Sequence, residues 1–226
     1  MMKGEKIMKG KKIAIVLSGC GYLDGSEINE VVLTLLALDR VGIAYEGIAP
    51  NRNQHHVVNH LTEAVEDGSR NILEESARIM RGNVIALDKA IVSDYDAVIF
   101  PGGFGAAKNL FDLAIKGDAS YRVQPDILAF ATAALEAKKP MGYICIAPMM
   151  IPEIYPEGVQ MTIGADEETA KLVESKGAKH VQRAVDEICC DQKYKLVTTP
   201  AYMLGQNSYE VSKGIDRMVK VLQEFI

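Results

Sequence analysis

The chain has no apolar stretch long enough to cross a bilayer: runs such as VVLTLLAL from Val31 fall far short of the ~20 residues a spanning helix needs. It has no surplus of basic charge either, with 25 Lys and Arg against 30 Asp and Glu and a net charge of −5. A phosphate backbone or an anionic membrane surface would meet no electrostatic footprint, so neither nucleic acid nor membrane is expected as a partner. The Lys-rich opening MMKGEKIMKGKK runs straight into a strand-like segment and does not read as a signal peptide; Met8 could serve as a second start. Cysteine is scarce, at four residues, Cys20, Cys145, Cys189 and Cys190. Without an export signal these read as reduced thiols, and the cytoplasm is the expected compartment. Internal repeats, low-complexity tracts and Pro/Gly-rich linkers are absent, and 226 residues suit one well-filled core. The expected division is an N-terminal extension over residues 1–10 and one domain over 11–226.

What is present is a strand-helix rhythm. KKIAIVL from Lys11 is a short β-branched run that stops at the glycines of SGCG. Asp24 and Glu27 then have capping-box spacing, and apolar residues recur at Ile28, Val31, Val32, Leu35, Leu36 and Leu38 until Gly42, which predicts a helix of about four turns. IAYEGIA from Ile43 predicts a second strand, parallel to the first through a right-handed crossover. RNILEESARIMRG reads as a helix, DAVIFPGG as a strand and QPDILAFATAALEAKK as a long helix. MGYICIAP, VQMTIG, the helix-like DEETAKLVESKG, a strand pair around DEICC and KLVTTP, and a final amphipathic helix ending at Phe225 complete the series. Such alternation, with near-continuous apolar strands, predicts an α/β fold with a mostly parallel, doubly wound sheet covered on both faces. The polar stretch NRNQHHVVNHLTEAVEDGSR breaks the rhythm and reads as an excursion that could lie over a site.

Ligands of such sheets bind at the carboxyl ends of the strands, which directs attention to SGCG, PGGFG, YICIAP and TIGAD. SGCG fails the dinucleotide pattern, because Asp24 stands where G-x-G-x-x-G needs its third glycine, and no P-loop occurs. No cofactor is indicated. In KKPMGYICIAPMM, Cys145 falls where strand gives way to helix, with Pro148 suited to a first helical turn. The positive end of a helix favours thiolate, so the expectation is a thiol pKa below the free value of ~8.5 and a ready nucleophile; a buried, inert small hydrophobe is the alternative. The double glycine of PGGFG leaves backbone N–H groups free to hold an oxyanion, and Gly102, Gly103 and the amide of Ile146 are the candidates. A plain tight turn is the competing reading of that double glycine.

PGGFGAAKNL, YICIAP, SGCGYLDGSEINEVVLTLLAL and VTTPAYMLGQN together resemble the ElbB family of glyoxalase or isoprenoid-biosynthesis-associated proteins, within the PfpI superfamily of class I glutamine-amidotransferase-like folds. The likeness runs from Lys11 to the C-terminus. It implies a flavodoxin-like three-layer sandwich with a nucleophile elbow, a homodimer, and a weak conversion of glyoxal to glycolate that can be a side view of a protein or nucleotide deglycase. It also implies a glutamate beside the cysteine, twelve residues ahead of the glycine ending the first helix, which here is Glu30. Glu27, one turn earlier, is its rival, better suited to capping; a solvated helix start is the bland reading for both.

The histidine that many relatives carry after the elbow helix is replaced by Gly164, so a Cys-His-acid triad is not expected. His56 and His60 have zinc-pair spacing, but HVVNH lacks the metalloprotease glutamate, adjacent Cys189 and Cys190 point to opposite faces, and His180 is isolated; no metal is expected. Cys20 could approach Cys145 as a resolving thiol or fill space. The expected chemistry is a Cys145 hemithioacetal with a small 2-oxoaldehyde, its proton relayed by a burial-protonated Glu30. A non-enzymatic redox sensor using the same cysteine, and a glutamine amidotransferase subunit, are the alternatives.

Overall fold

A computed structural model describes residues 10–226, and the expected N-terminal extension falls outside it except for Gly10. The first strand-helix unit is β1 (Lys12–Val16), α1 (Ile28–Val41) and β2 (Ala44–Ala49), followed by α2 (Ile72–Met80) and β3 (Val84–Ala86). β4 (Ala97–Phe100), α3 (Pro125–Glu136), β5 (Met141–Ile144) and α4 (Glu167–Ser175) come next, then β6 (Cys189–Asp191), β7 (Leu196–Thr199) and the closing α5 (Ser208–Phe225). The seven strands form one sheet in the order β6-β7-β5-β4-β1-β2-β3, parallel throughout except for the β6/β7 pair. Chain order reverses between β4 and β2 around β1, and such a switch opens a crevice at the strands' carboxyl ends.

Period-two alternation sorts the core. Ile13 and Ile15 of β1 join Ile99, Ile144, Leu38, Ile215 and Met218 on the face covered by α1, α2 and α5. Ala14 and Val16 face the other way, onto a core with Val98, Tyr143, Ile127 and Ala131 under α3. On that face Phe100 and Tyr143 of neighbouring strands stack with ring centroids 4.6 Å apart. The result is the three-layer, flavodoxin-like α/β arrangement expected from the sequence.

Local signals explain most boundaries and mislead at three. Gly42 ends α1 in the left-handed conformation, at φ +67°, with its N–H returned to Leu38 and Asp39. The cap at the other end is Glu27, whose carboxylate accepts from the Glu30 N–H at 2.6 Å; Asp24 is no part of a capping box. Asp24 is buried instead, accepting from the Val58 N–H at 2.8 Å, a long-range partner invisible to local spacing. VQMTIG does not enter the main sheet: Gln160–Met161 pairs in parallel with Lys179–His180 as a separate ribbon. The edge strand β3, three half-buried residues, carried no sequence pattern strong enough to predict it.

The excursion at 51–70 forms a small antiparallel ribbon, Val57–Val58 with Val65–Glu66. It buttresses the loop after β1: the Leu23 N–H donates to His60 Nε2 at 3.3 Å, and the His60 ring meets Tyr22 edge-on at 5.4 Å.

Candidate active site

Cys145 is the first residue past β5, and its φ of +61° lies in the left-handed region that a non-glycine residue occupies only when its surroundings enforce it, at a cost of about 1–3 kcal/mol. Its own N–H is held by the Thr199 carbonyl at 3.0 Å, and a 3₁₀ turn over Ala147–Met150 follows. That is a nucleophile elbow, aimed at the crevice but only 8% exposed. The thiol lines a cavity of about 680 Å³ whose walls include Tyr22, Phe104, Ile146, Tyr202 and Met203.

Glu30, in the first turn of α1, is fully buried against it. One carboxyl oxygen accepts from the Gly102 N–H at 2.8 Å and the other from the Tyr202 N–H at 3.4 Å, while the side chain also hydrogen-bonds the Cys145 thiol. Burial, followed by the neighbouring Glu27 charge, pushes its pKa up to about 8 against those three hydrogen bonds. Glu27 sits at the cavity wall, and its N–H donates to the Gly102 carbonyl at 3.0 Å, with burial raising its own pKa. Glycine is required at 102: a Cβ there would lie 2.6 Å from the Cys145 Cβ and 3.0 Å from Glu30 Oε2.

Two expectations are corrected here. The Gly102 N–H is not a free oxyanion donor, because Glu30 already takes it; Gly103 and Ile146 are the two amides that face the Cys145 sulfur. The thiol pKa is raised, not lowered. Burial contributes most, the adjacent Glu30 adds to it, and the two amides oppose without prevailing. The expected helix is one 3₁₀ turn running into a single α-turn at Ile151–Ile154, so little dipole is available to favour thiolate. At pH 7 the resting pair is a thiol beside a protonated carboxyl.

The remaining candidates fall away from this centre. Cys20 is half-buried among Glu75, Arg78, Asp24 and Arg70 and does not line the cavity, which leaves it without a resolving role. Gly164 has φ +106°, and a Cβ there would come within 3.0 Å of Leu204, so a histidine at that position would strain the backbone and press on Leu204. His180 lies on the Gln160 ribbon with Nε2 buried and unpartnered, and the His56 ring faces His55. Among the described residues no three His, Cys, Asp or Glu side chains group as metal ligands.

Sequence reasoning gave no role to the loop after β7. There Ala201 adopts φ +44°, and that left-handed kink turns the Tyr202 amide toward Glu30 and its ring into the cavity wall. The Asn29 amide donates to the Tyr202 hydroxyl at 3.2 Å and fixes the ring. Pro200 at the end of a sheet strand, inside the quoted VTTPAYMLGQN, was the available signal.

No protein-family model matches the chain. The mitochondrial ES1 protein homolog of Rattus norvegicus is 41% identical over 223 residues, covering 94% of this chain and 83% of that protein. The mitochondrial glutamine amidotransferase-like class 1 domain-containing protein 3 of Homo sapiens is 40% identical over 94% of this chain and 82% of its own length. Both relatives are named as mitochondrial, which overturns the cytoplasmic expectation. Among solved structures, an isoprenoid biosynthesis protein with amidotransferase-like domain from Ehrlichia chaffeensis superposes with TM-score 0.87 at 34% identity, covering 96% of this chain and 99% of that one. Glyoxalase III from Candida albicans, at TM-score 0.59 and 13% identity over 93% of this chain and 97% of its own, shares the fold alone. With its elbow, its four motifs and these identities together, the chain belongs to the ElbB-like family of ES1 and glutamine amidotransferase-like class 1 domain proteins, on the PfpI-type fold.

Proposed function

We propose that the protein is a cofactor-independent glyoxalase-type enzyme that converts a 2-oxoaldehyde to a hydroxy acid on Cys145. The observation that carries this reading is the hydrogen-bonded Cys145–Glu30 pair, its thiol lining the cavity and its carboxyl buried against that thiol, with the Gly103 and Ile146 amides turned to the sulfur. The carboxylate form of Glu30, the minor one at pH 7, takes the thiol proton as the sulfur adds to the aldehyde carbon and passes it to the carbonyl oxygen, so the hemithioacetal forms without a free thiolate and Glu30 is again a carboxylate. Glu30 as carboxylate then takes the hydrogen of the thiol-bearing carbon and returns it to the neighbouring carbon through an enediol, one carbon being oxidised as the other is reduced. The product is a hydroxyacyl thioester, which water hydrolyses to glycolate when the substrate is glyoxal, restoring the thiol. Both oxyanions form beside the Gly103 and Ile146 amides.

The raised thiol pKa weighs against the redox-sensor alternative, since peroxide attacks thiolate and a buried, protonated sulfur reacts slowly. The amidotransferase alternative lacks a histidine at the cavity wall. Proton NMR of glyoxal consumption tests the proposal: Cys145→Ser is expected to abolish glycolate formation, and full turnover by that variant would end it.

A further inference from the structure

Resting on that reading, we infer that the site takes an uncharged 2-oxoaldehyde with an aromatic substituent in preference to glyoxal itself. The cavity, at about 680 Å³, is far larger than a four-heavy-atom molecule requires. Its walls are rings and thioether: Tyr22, Phe104, Tyr202 and Met203 stand around the thiol with Ile146. Phe104 is 56% exposed and Tyr22 41% exposed, large apolar surfaces facing an opening. Tyr202 is held in place by Asn29, so this wall exists before any substrate arrives. Aromatic faces of this kind gain most from an aryl partner, through offset or edge-on packing.

Charge narrows the class further. Among the described residues no Lys, Arg or His lines the cavity, and the carboxyl on its wall is that of Glu27. A carboxylate or phosphate on the substrate would lose its water without gaining a cation, beside an acid. The same feature disfavours phosphate-bearing nucleotide adducts as deglycase substrates.

The test compares three probes on the full chain: glyoxal, phenylglyoxal and 4-carboxyphenylglyoxal, with mandelate-type products followed by chiral chromatography. The expected kcat/KM for phenylglyoxal is at least about tenfold above that for glyoxal, with the carboxylated analogue at or below glyoxal. Phe104→Ala should shrink the phenylglyoxal-to-glyoxal ratio. Cys145-dependent turnover with glyoxal equal to or better than phenylglyoxal, or an unpenalised carboxylate, overturns the substrate class and leaves the glyoxalase reading standing. No Cys145-dependent turnover of any of the three overturns both.

Discussion

Two concavities lie along the carboxyl edge of one sheet, and they differ in what their polar groups have left to do. The second, of about 510 Å³, opens beyond β2 and β3 between Pro50, Arg52, Leu87, Asp126 and Phe130. There the Arg52 guanidinium pairs with Asp126 and also donates to the Asn109 carbonyl at 2.9 Å, so its charge is matched and both of its terminal nitrogens are engaged. Beside β5 and β7, by contrast, a thiol and a protonated carboxyl meet in the dry interior, with Cys145 and Ala201 both held at positive φ. The sheet edge offers a place in both cases; chemistry requires groups whose protonation the fold has left unsettled.

The contrast breaks most visibly at Glu30. Glu30→Gln keeps the shape and the Gly102 hydrogen bond but cannot carry a proton between carbons, so kcat/KM for the oxoaldehyde should fall about 10²–10⁴-fold. Unaltered turnover in that variant would make the two concavities equivalent.

The same substitution should stabilise the fold at alkaline pH. The unfolded chain releases this proton near 4.5 and the native chain near 8. Native stability from the group is therefore complete below pH 4.5 and is lost as pH rises to 8, on the order of 3–4 kcal/mol. Urea melts at pH 5 and pH 8 should show Glu30→Gln gaining on the wild type only at the higher pH.

Gly102→Ala sharpens the comparison by crowding. A methyl 2.6 Å from the Cys145 Cβ must displace the elbow, at a cost of about 1–3 kcal/mol in chemical denaturation, with loss of turnover. The smallest effect belongs to Arg52→Ala in the other concavity. Both partners of that ion pair are more than a third exposed, so less than about 1 kcal/mol is at stake, and oxoaldehyde turnover should be unchanged.

Much of this was readable in the chain. The apolar spacing from Ile28 to Leu38 and the stop at Gly42 define α1, and YICIAP places Cys145 at a strand end, because both are short-range consequences of backbone geometry. Asp24 misled because its partner, Val58, lies on the excursion. Gly102 misled for a related reason: a free N–H in a PGG loop is free only until a carboxyl from another element reaches it.

The residues by themselves determined the strand-helix order, the sheet's two apolar faces and the presence of a cysteine at a sharp turn, since each depends on neighbours within a few positions. Tertiary structure alone decided the protonation of that cysteine. Its pKa depends on how much water packing removes and on which side chain stands opposite, and here Glu30 and Cys145 lie 115 positions apart along the chain while the fold puts them in hydrogen-bond contact. Desolvation outweighs a single short helical turn, and so the sign of the shift reversed.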